Sequence, residues 1–337
     1  MRAIQVVGGG PAGAMAALAG LRGGAAVRIF EKSAFPRHKV CGEFLSPAIL
    51  TLLRRAGCDA AFLRLGPAVL REMRLHFGAR VVCHRLPEPA YGLSRHQLDL
   101  LLLQHATSAG AQLVREHWST SAPDAAAHDH AVILARGRRA IAPAGDRLFG
   151  FKAHFSGPVN DAVELYFFQN CYVGVSAIEN GATNVCGLAP ESTLRAFGFH
   201  PSDLLQTCAP LAARLSPLTP TMDWLVTGPL VFSGRLNQPP DPATYHAGDS
   251  LGFVDPFTGS GILNAMLTGE LAGRAAASGA SSEAYFRDCR RLLRRPFLIS
   301  SAFRAVVASG QAGVLASLVP GRLLFRATRP SVLNFGA

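Results

Sequence analysis

The chain has almost no lysine. Only Lys32, Lys39 and Lys152 occur, so thirty of its thirty-three cations are arginine. The net charge of +11 is thus an arginine bias, and no basic run alternates with aromatics as a nucleic-acid stacking groove requires. Nucleic acid is not an expected partner. An anionic substrate, a carrier protein or the headgroups of a membrane surface suits such a charge better. Cysteine pairing is also missing: seven cysteines are scattered with no C-x-x-C and no regular spacing. That argues against a zinc site or a disulfide framework and reads as reduced thiols in a cytoplasmic protein. No metal is expected, and no Ser-His-Asp set can be assembled. The weakly polar stretch 306–319 is too short and too rich in Gly, Ser and Gln to span a bilayer. The start shows no basic, apolar and cleavable leader pattern, because its apolar residues already read as a strand. What remains is 337 residues, 49% apolar and 16% charged, enough for a nucleotide-binding unit with an inserted substrate unit.

Two glycine-rich segments carry the chemistry. Ile4-Gln5-Val6-Val7 runs into Gly8-Gly9-Gly10-Pro11-Ala12-Gly13, and an Ala-rich helical stretch follows. A second strand, 26–30, ends at Glu31, close to the roughly 20-residue spacing of a ribose-binding acid. The pattern is the dinucleotide fingerprint, with pyrophosphate expected on the helix N-terminus and the carboxylate on a ribose diol. The second segment is AGDSLGFVDPFTGSGI, residues 247–262. Asp249 follows a glycine where a carboxylate can accept from a ribityl hydroxyl. Gly259, Gly261 and Ile262 open an apolar helix whose N-terminus favours negative charge, as develops at the N1/O2 edge of a reduced flavin. Together the two segments point to FAD.

The remaining pattern predicts an α/β architecture. A Rossmann-like FAD-binding domain is assembled from residues 1–66, 88–147 and 243–282. An inserted antiparallel-sheet substrate domain comprises 67–87 and 148–242, and a basic helical tail covers 283–337. Residues 69–77 and 80–86 read as a hairpin around Gly78-Ala79. Ser94 reads as the N-cap of a helix, and 201–215 as helical stretches.

The motif set resembles the geranylgeranyl-reductase-like branch of the FAD-dependent oxidoreductases that share the p-hydroxybenzoate hydroxylase fold. The resemblance rests on GGGPAG (8–13), EK (31–32), RHKVCGEFLSP (37–47), SRHQLD (94–99), the sheet segment 171–188 and the segment 247–262. It implies FAD contacts from Gly8, Gly10, Pro11, Ala12, Gly13, Glu31 and Lys32 around the first loop. It places Arg37, Cys41 and Gly42 at or near the flavin ring and Arg95 on the adenosine side. Asp249 would meet the ribityl or pyrophosphate, and Pro256, Gly259, Gly261 and Ile262 complete the cradle. Candidates for moving a proton are Cys41, Glu43 and Tyr172, with His38 a surface or ring-edge residue. Two departures matter. The strand 131–135 runs into Arg136-Gly137-Arg138-Arg139 without the Asp-Gly of aromatic hydroxylases. The W-x-W-x-I-P signature of flavin halogenases is absent, Trp118 and Trp224 being the only tryptophans, so halogenation is not expected.

The leading expectation is an FAD-dependent reductase of a C=C bond in an apolar prenyl, quinone or polyketide-type substrate. NADPH, NADH or another donor would reduce the flavin, and flavin N5 would deliver hydride. The alternative is a flavin-dependent monooxygenase hydroxylating or epoxidising a similar substrate. A flavin- or ligand-binding protein without turnover is the reading from another class.

Overall fold

In the computed structural model, residues 2–118, 130–138, 147–230, 236–253 and 259–308 are described. Pro256 and Arg139 lie outside them. The β-rich segment at the start and the Ala-rich run after it form β1 (Ala3–Val7), α1 (Pro11–Arg22) and β2 (Ala26–Phe30). Next come β3 (Phe44–Leu45), α2 (Ile49–Ala56), α3 (Asp59–Arg64), β4 (Ala68–Phe77) and β5 (Arg80–Gly92). α4 (Arg95–Ser108), β6 (Gln112–Val114) and β7 (His130–Leu134) lead to β8 (Leu148–Ser156), β9 (Ala162–Phe168), β10 (Cys171–Ala177) and β11 (Thr183–Pro190). Three short helices follow, α5 (Glu191–Ala196), α6 (Pro201–Gln206) and α7 (Ala209–Leu215), then β12 (Thr219–Pro220), β13 (Leu225–Leu230) and β14 (Thr244–His246). The described chain closes with α8 (Gly261–Ser278) and α9 (Ser282–Ala308).

Two sheets result. A parallel sheet in the order β14-β7-β1-β2-β6 gathers strands from both ends of the chain. A second, mostly antiparallel sheet runs β12-β8-β11-β10-β9-β4-β5-β3, with β13 also paired to β8. Side chains alternate across it, as strand geometry demands. Phe151, Tyr166, Val173, Val175 and Val185 face α5–α7 in one core. Val163, Leu165, Tyr172, Cys186 and Leu188 face the nucleotide-binding layer. In that layer α1 and α8 pack closely through small residues. A Cβ on Gly269 would sit 2.1 Å from the Ala12 carbonyl oxygen, so glycine there sets how near α8 comes to α1.

The helical stretches read over 201–215 are α6 and α7, which separate before Pro210 because it stands in the first turn of α7, where a missing N–H is tolerated, and not inside a helix, where it is not. One element differs from the sequence reading. β5 continues past Leu86 to Gly92 despite Pro87 and Pro89. Its register with β4 jumps between Leu70 and Glu72, and the prolines occupy the resulting bulge, where no ladder donor is needed. α9 buries Tyr285, Cys289, Leu292, Leu293 and Phe297 and exposes Arg287, Arg290, Arg291, Arg294 and Arg295. Among the described residues no helix is long and apolar enough to cross a membrane.

Candidate functional site

At the end of β1 the backbone turns at Gly8, with φ +105°, so that α1 can begin at Pro11. A Cβ on Gly13 would lie 1.7 Å from the Gly8 carbonyl oxygen; this glycine closes the helix onto the turn and does not line the cavity below. Gly10 behaves differently. A Cβ there would meet only Arg95 Nη2, at 4.0 Å, and at Gly42 and Gly261 it would meet nothing within 4 Å. All three open on one cavity of about 1250 Å³, walled by both sheets. That exceeds the roughly 300–1,000 Å³ of an ordinary small-molecule pocket and leaves room for a dinucleotide and a second molecule.

The cavity wall also holds unsatisfied polar groups. Asn264, on the first turns of α8, is 7% exposed, and among the described residues neither its amide nitrogen nor its oxygen has a hydrogen-bond partner. Arg37 Nε is likewise buried, with no acceptor among the described residues. Ser260, at the start of α8, gives no side-chain cap, so the helix N-terminus presents its N–H groups. Bare backbone on three segments, an orphaned amide and an uncapped helix start fit a long ligand with a flat ring and an anionic middle. FAD has that chemistry.

The fingerprint residues surround the same space. Gly8, Pro11, Ala12, Glu31, Lys32, Arg37, Arg95 and Asp249 all line it, as do Gly259 and Ile262. Glu31 accepts from the backbone N–H of Gly9 at 2.9 Å and of Ser33 at 2.8 Å, and pairs with Arg37 at 3.6 Å. Its oxygens keep further lone pairs for a diol. Arg95 makes a bidentate pair with Asp99, at 2.6 and 2.7 Å. Burial works against its charge, but Asp99 outweighs burial and holds the guanidinium firmly cationic. Asp249 is half-buried, and desolvation pushes its carboxyl up, while Arg95, Lys39 and Arg138 pull it down. Lys39 is pushed down to about 8 by burial, then by Arg95 and Arg37.

The proton-moving candidates separate. Cys41, Glu43 and Tyr172 all line the cavity. Burial pushes the Cys41 thiol above its ordinary value, against the pull of Arg95, so it stays protonated at neutral pH. Glu43 is fully buried and accepts hydrogen bonds from Lys152 Nζ, from His154 Nε2 at 2.7 Å and from the Arg95 backbone N–H at 2.7 Å. Burial alone would raise its pKa, but the His154 hydrogen bond and the Lys152 charge prevail and hold it below the ordinary carboxylate value. Three donors thus hold Glu43 as an anion that orients its neighbours. His38 is exposed at the cavity edge, stacked on His96 at 4.7 Å and edge-on to His154 at 5.2 Å.

Residues 1–141 match the family model described as an FAD binding domain. The chain carries an FAD-binding domain. This flavoprotein is 31% identical over 126 residues to the flavin-dependent halogenase armH4 of Armillaria mellea, a match covering 34% of this chain and 24% of that one. The matched part therefore spans about a quarter of that relative. Among solved structures it is similar to a triple mutant of the flavin-dependent brominase Bmp2, with TM-score 0.78, 16% identity and coverage of 97% and 94% of the two chains. It is also similar to a flavoprotein/dehydrogenase from Cytophaga hutchinsonii, with TM-score 0.75, 18% identity and coverage of 97% and 90%. At such identities the likeness shows the fold, which is that of the p-hydroxybenzoate hydroxylase-type flavoproteins.

Sequence reasoning missed Lys152, His154, Lys39 and Asn264. For the first two a signal existed. In β8, FGFKAHF (149–155), the only polar side chains are two residues apart and therefore on one face. Asn264 gave none, since an amide inside an apolar helix reads as an ordinary surface residue.

Proposed function

We propose that this flavoprotein is an FAD-dependent monooxygenase acting on an apolar small molecule. The observation that carries the reading is the shared cavity. Its glycine cradle faces an apolar wall of Met73, Leu86, Val163, Leu165, Leu188 and Leu230 from the antiparallel sheet, so cofactor and apolar substrate would meet in one cavity. Gly10, Gly42, Gly261 and Asn264 would hold the FAD, Arg95 and Lys39 its phosphates and Glu31 its ribose. Reduced by NADPH, NADH or another donor, bound FAD supplies the electrons that turn O₂ into an oxygen-transfer reagent. The apolar wall keeps water away while this happens. Cys41 retains a proton beside the site, and Tyr172 places a hydroxyl on the substrate side.

Oxygen chemistry is preferred to reduction of a C=C bond because two of the three named likenesses, armH4 and Bmp2, are halogenases, and placing a halide on carbon electrophilically requires an oxidant, not a hydride. Halogenation is the second reading, favoured by the same likeness and opposed by the missing W-x-W-x-I-P. The test supplies photoreduced holoprotein with ¹⁸O₂, bromide and either a long-chain alkyl phenol or a linear alkene. Product carrying one labelled oxygen is expected. Bromine in the product would move the assignment to the second reading, and two added hydrogens without oxygen would overturn both.

A further inference from the structure

We propose that Lys152, with Glu43 and His154, is a positioning residue that couples the antiparallel sheet to the flavin cradle. Lys152 and Glu43 are both 0% exposed, and no water is needed to explain their pairing because each charge is matched within the fold. Lys152 and His154 project from one face of β8, and both reach the Glu43 carboxylate, on different oxygens. The oxygen that accepts from Lys152 also accepts from the Arg95 backbone N–H. That contact lies at the first residue of α4, whose guanidinium stands 4.0 Å from where a Gly10 Cβ would be.

Three more features tie Glu43 to the cofactor wall. Its own backbone N–H meets Cys41 Sγ at 3.4 Å, and its carbonyl accepts from Leu93 at 3.2 Å. Its φ is +54°, a left-handed conformation that a non-glycine residue keeps only where surroundings over-determine it. The neighbouring Cys41 carbonyl accepts from Asn184 of β11 at 3.2 Å. Glu43 therefore joins the Cys41–Gly42 wall, through its backbone, to the start of α4 and the centre of β8, through its carboxylate. Buried ion pairs are commonly replaceable by apolar residues without loss of stability, so stability alone does not account for this one. Its geometry accounts for it: the anion holds the start of α4 at Arg95, beside Gly42, where the phosphates and ring of FAD would lie against them.

Purified apo-chains of the wild type, Lys152→Met, Lys152→Arg and the double variant Lys152→Met/Glu43→Leu are titrated with FAD. Affinity, the visible spectrum of the bound flavin and thermal unfolding of the apo-chain are read for each. Lys152→Met is expected to weaken FAD at least tenfold and to broaden the visible band, and Lys152→Arg to recover most of both. The double variant is expected to unfold near the wild-type temperature yet still bind FAD at least tenfold more weakly, with the broadened band. Should the double variant bind FAD with wild-type affinity and spectrum, the pair serves only stability and the proposal falls. The double variant carries the test if Lys152→Met does not fold. None of these readouts depends on oxygen transfer, so the monooxygenase reading can fail independently.

Discussion

Lys39 is the residue whose charge the flavin should change most. Its ammonium is pushed from 10.5 down to about 8, first by burial and then by Arg95 and Arg37. In the apo-chain its folded pKa thus lies below the unfolded one. Between about pH 8 and 10.5 the unfolded chain holds more protons, and stability from this group rises with pH over that window. An FAD pyrophosphate beside it reverses the balance by favouring the cation. FAD binding above pH 8 should then take up a proton, and affinity should fall as pH rises toward 10.5, by up to about tenfold per pH unit. Calorimetric titrations in buffers of different ionisation enthalpy would measure the uptake, and Lys39→Met should abolish it. A flat affinity across that range would remove Lys39 from the phosphate site. Lys152 answers to a different quantity. Removing it leaves the Glu43 charge buried with fewer partners, which costs about 3–5 kcal/mol where a buried pair is broken on one side. Urea unfolding of Lys152→Met should show a loss of that order, and the paired change to Lys152→Met/Glu43→Leu should return most of it.

At the scale of elements, the glycine-rich turn and the start of α8 use the same residue for opposite ends. Gly13 is pressed against the Gly8 carbonyl oxygen, whereas Gly261 faces open cavity. Gly13→Ala should therefore overpack the β1–α1 turn and destabilise the apo-chain by about 1–3 kcal/mol. Gly261→Ala should alter apo stability by less than about 0.5 kcal/mol but weaken FAD, because its methyl occupies ligand space. Thermal unfolding of the two apo-proteins and an FAD titration of each would separate the cases. Equal destabilisation by both would mean that α8 does not present its backbone to a ligand. The elements themselves were largely legible, because strand alternation, the Ser94 cap and the turn glycines act locally. Ser94 does accept from the Gln97 N–H at 3.2 Å, as its place before the helix required. The β5 bulge was not legible. Pro87 and Pro89 signal an end of pairing when read locally, and only the partner strand β4 shows that pairing resumes beyond them.

At the scale of the molecule, the site is where two remote parts of the chain meet. The glycine-motif residues that line the cavity could be read because each belongs to a short motif with its own backbone logic. The clasp beneath them could not, since Lys152 and Glu43 are 109 positions apart and the pattern of either segment says nothing of the other. Their meeting depends on β8 lying beside β11, which is a property of the sheet and not of either segment. That same arrangement has a thermodynamic consequence. The cavity wall takes residues from β1, α1 and α8 on one side and from β9, β10 and β11 on the other, so a ligand filling it binds a state in which both sheets are in place. FAD at about one hundred times its Kd should stabilise that state by about 2.7 kcal/mol. Hydrogen exchange should then slow at the backbone amides of β10 and β11 as well as at the first residues of α1 and α8. Were protection confined to the parallel-sheet layer, FAD would occupy its own half of the cavity without engaging the sheet. The substrate wall would then be an independent unit, and the coupling assigned to Lys152 and Glu43 would have no path to act through.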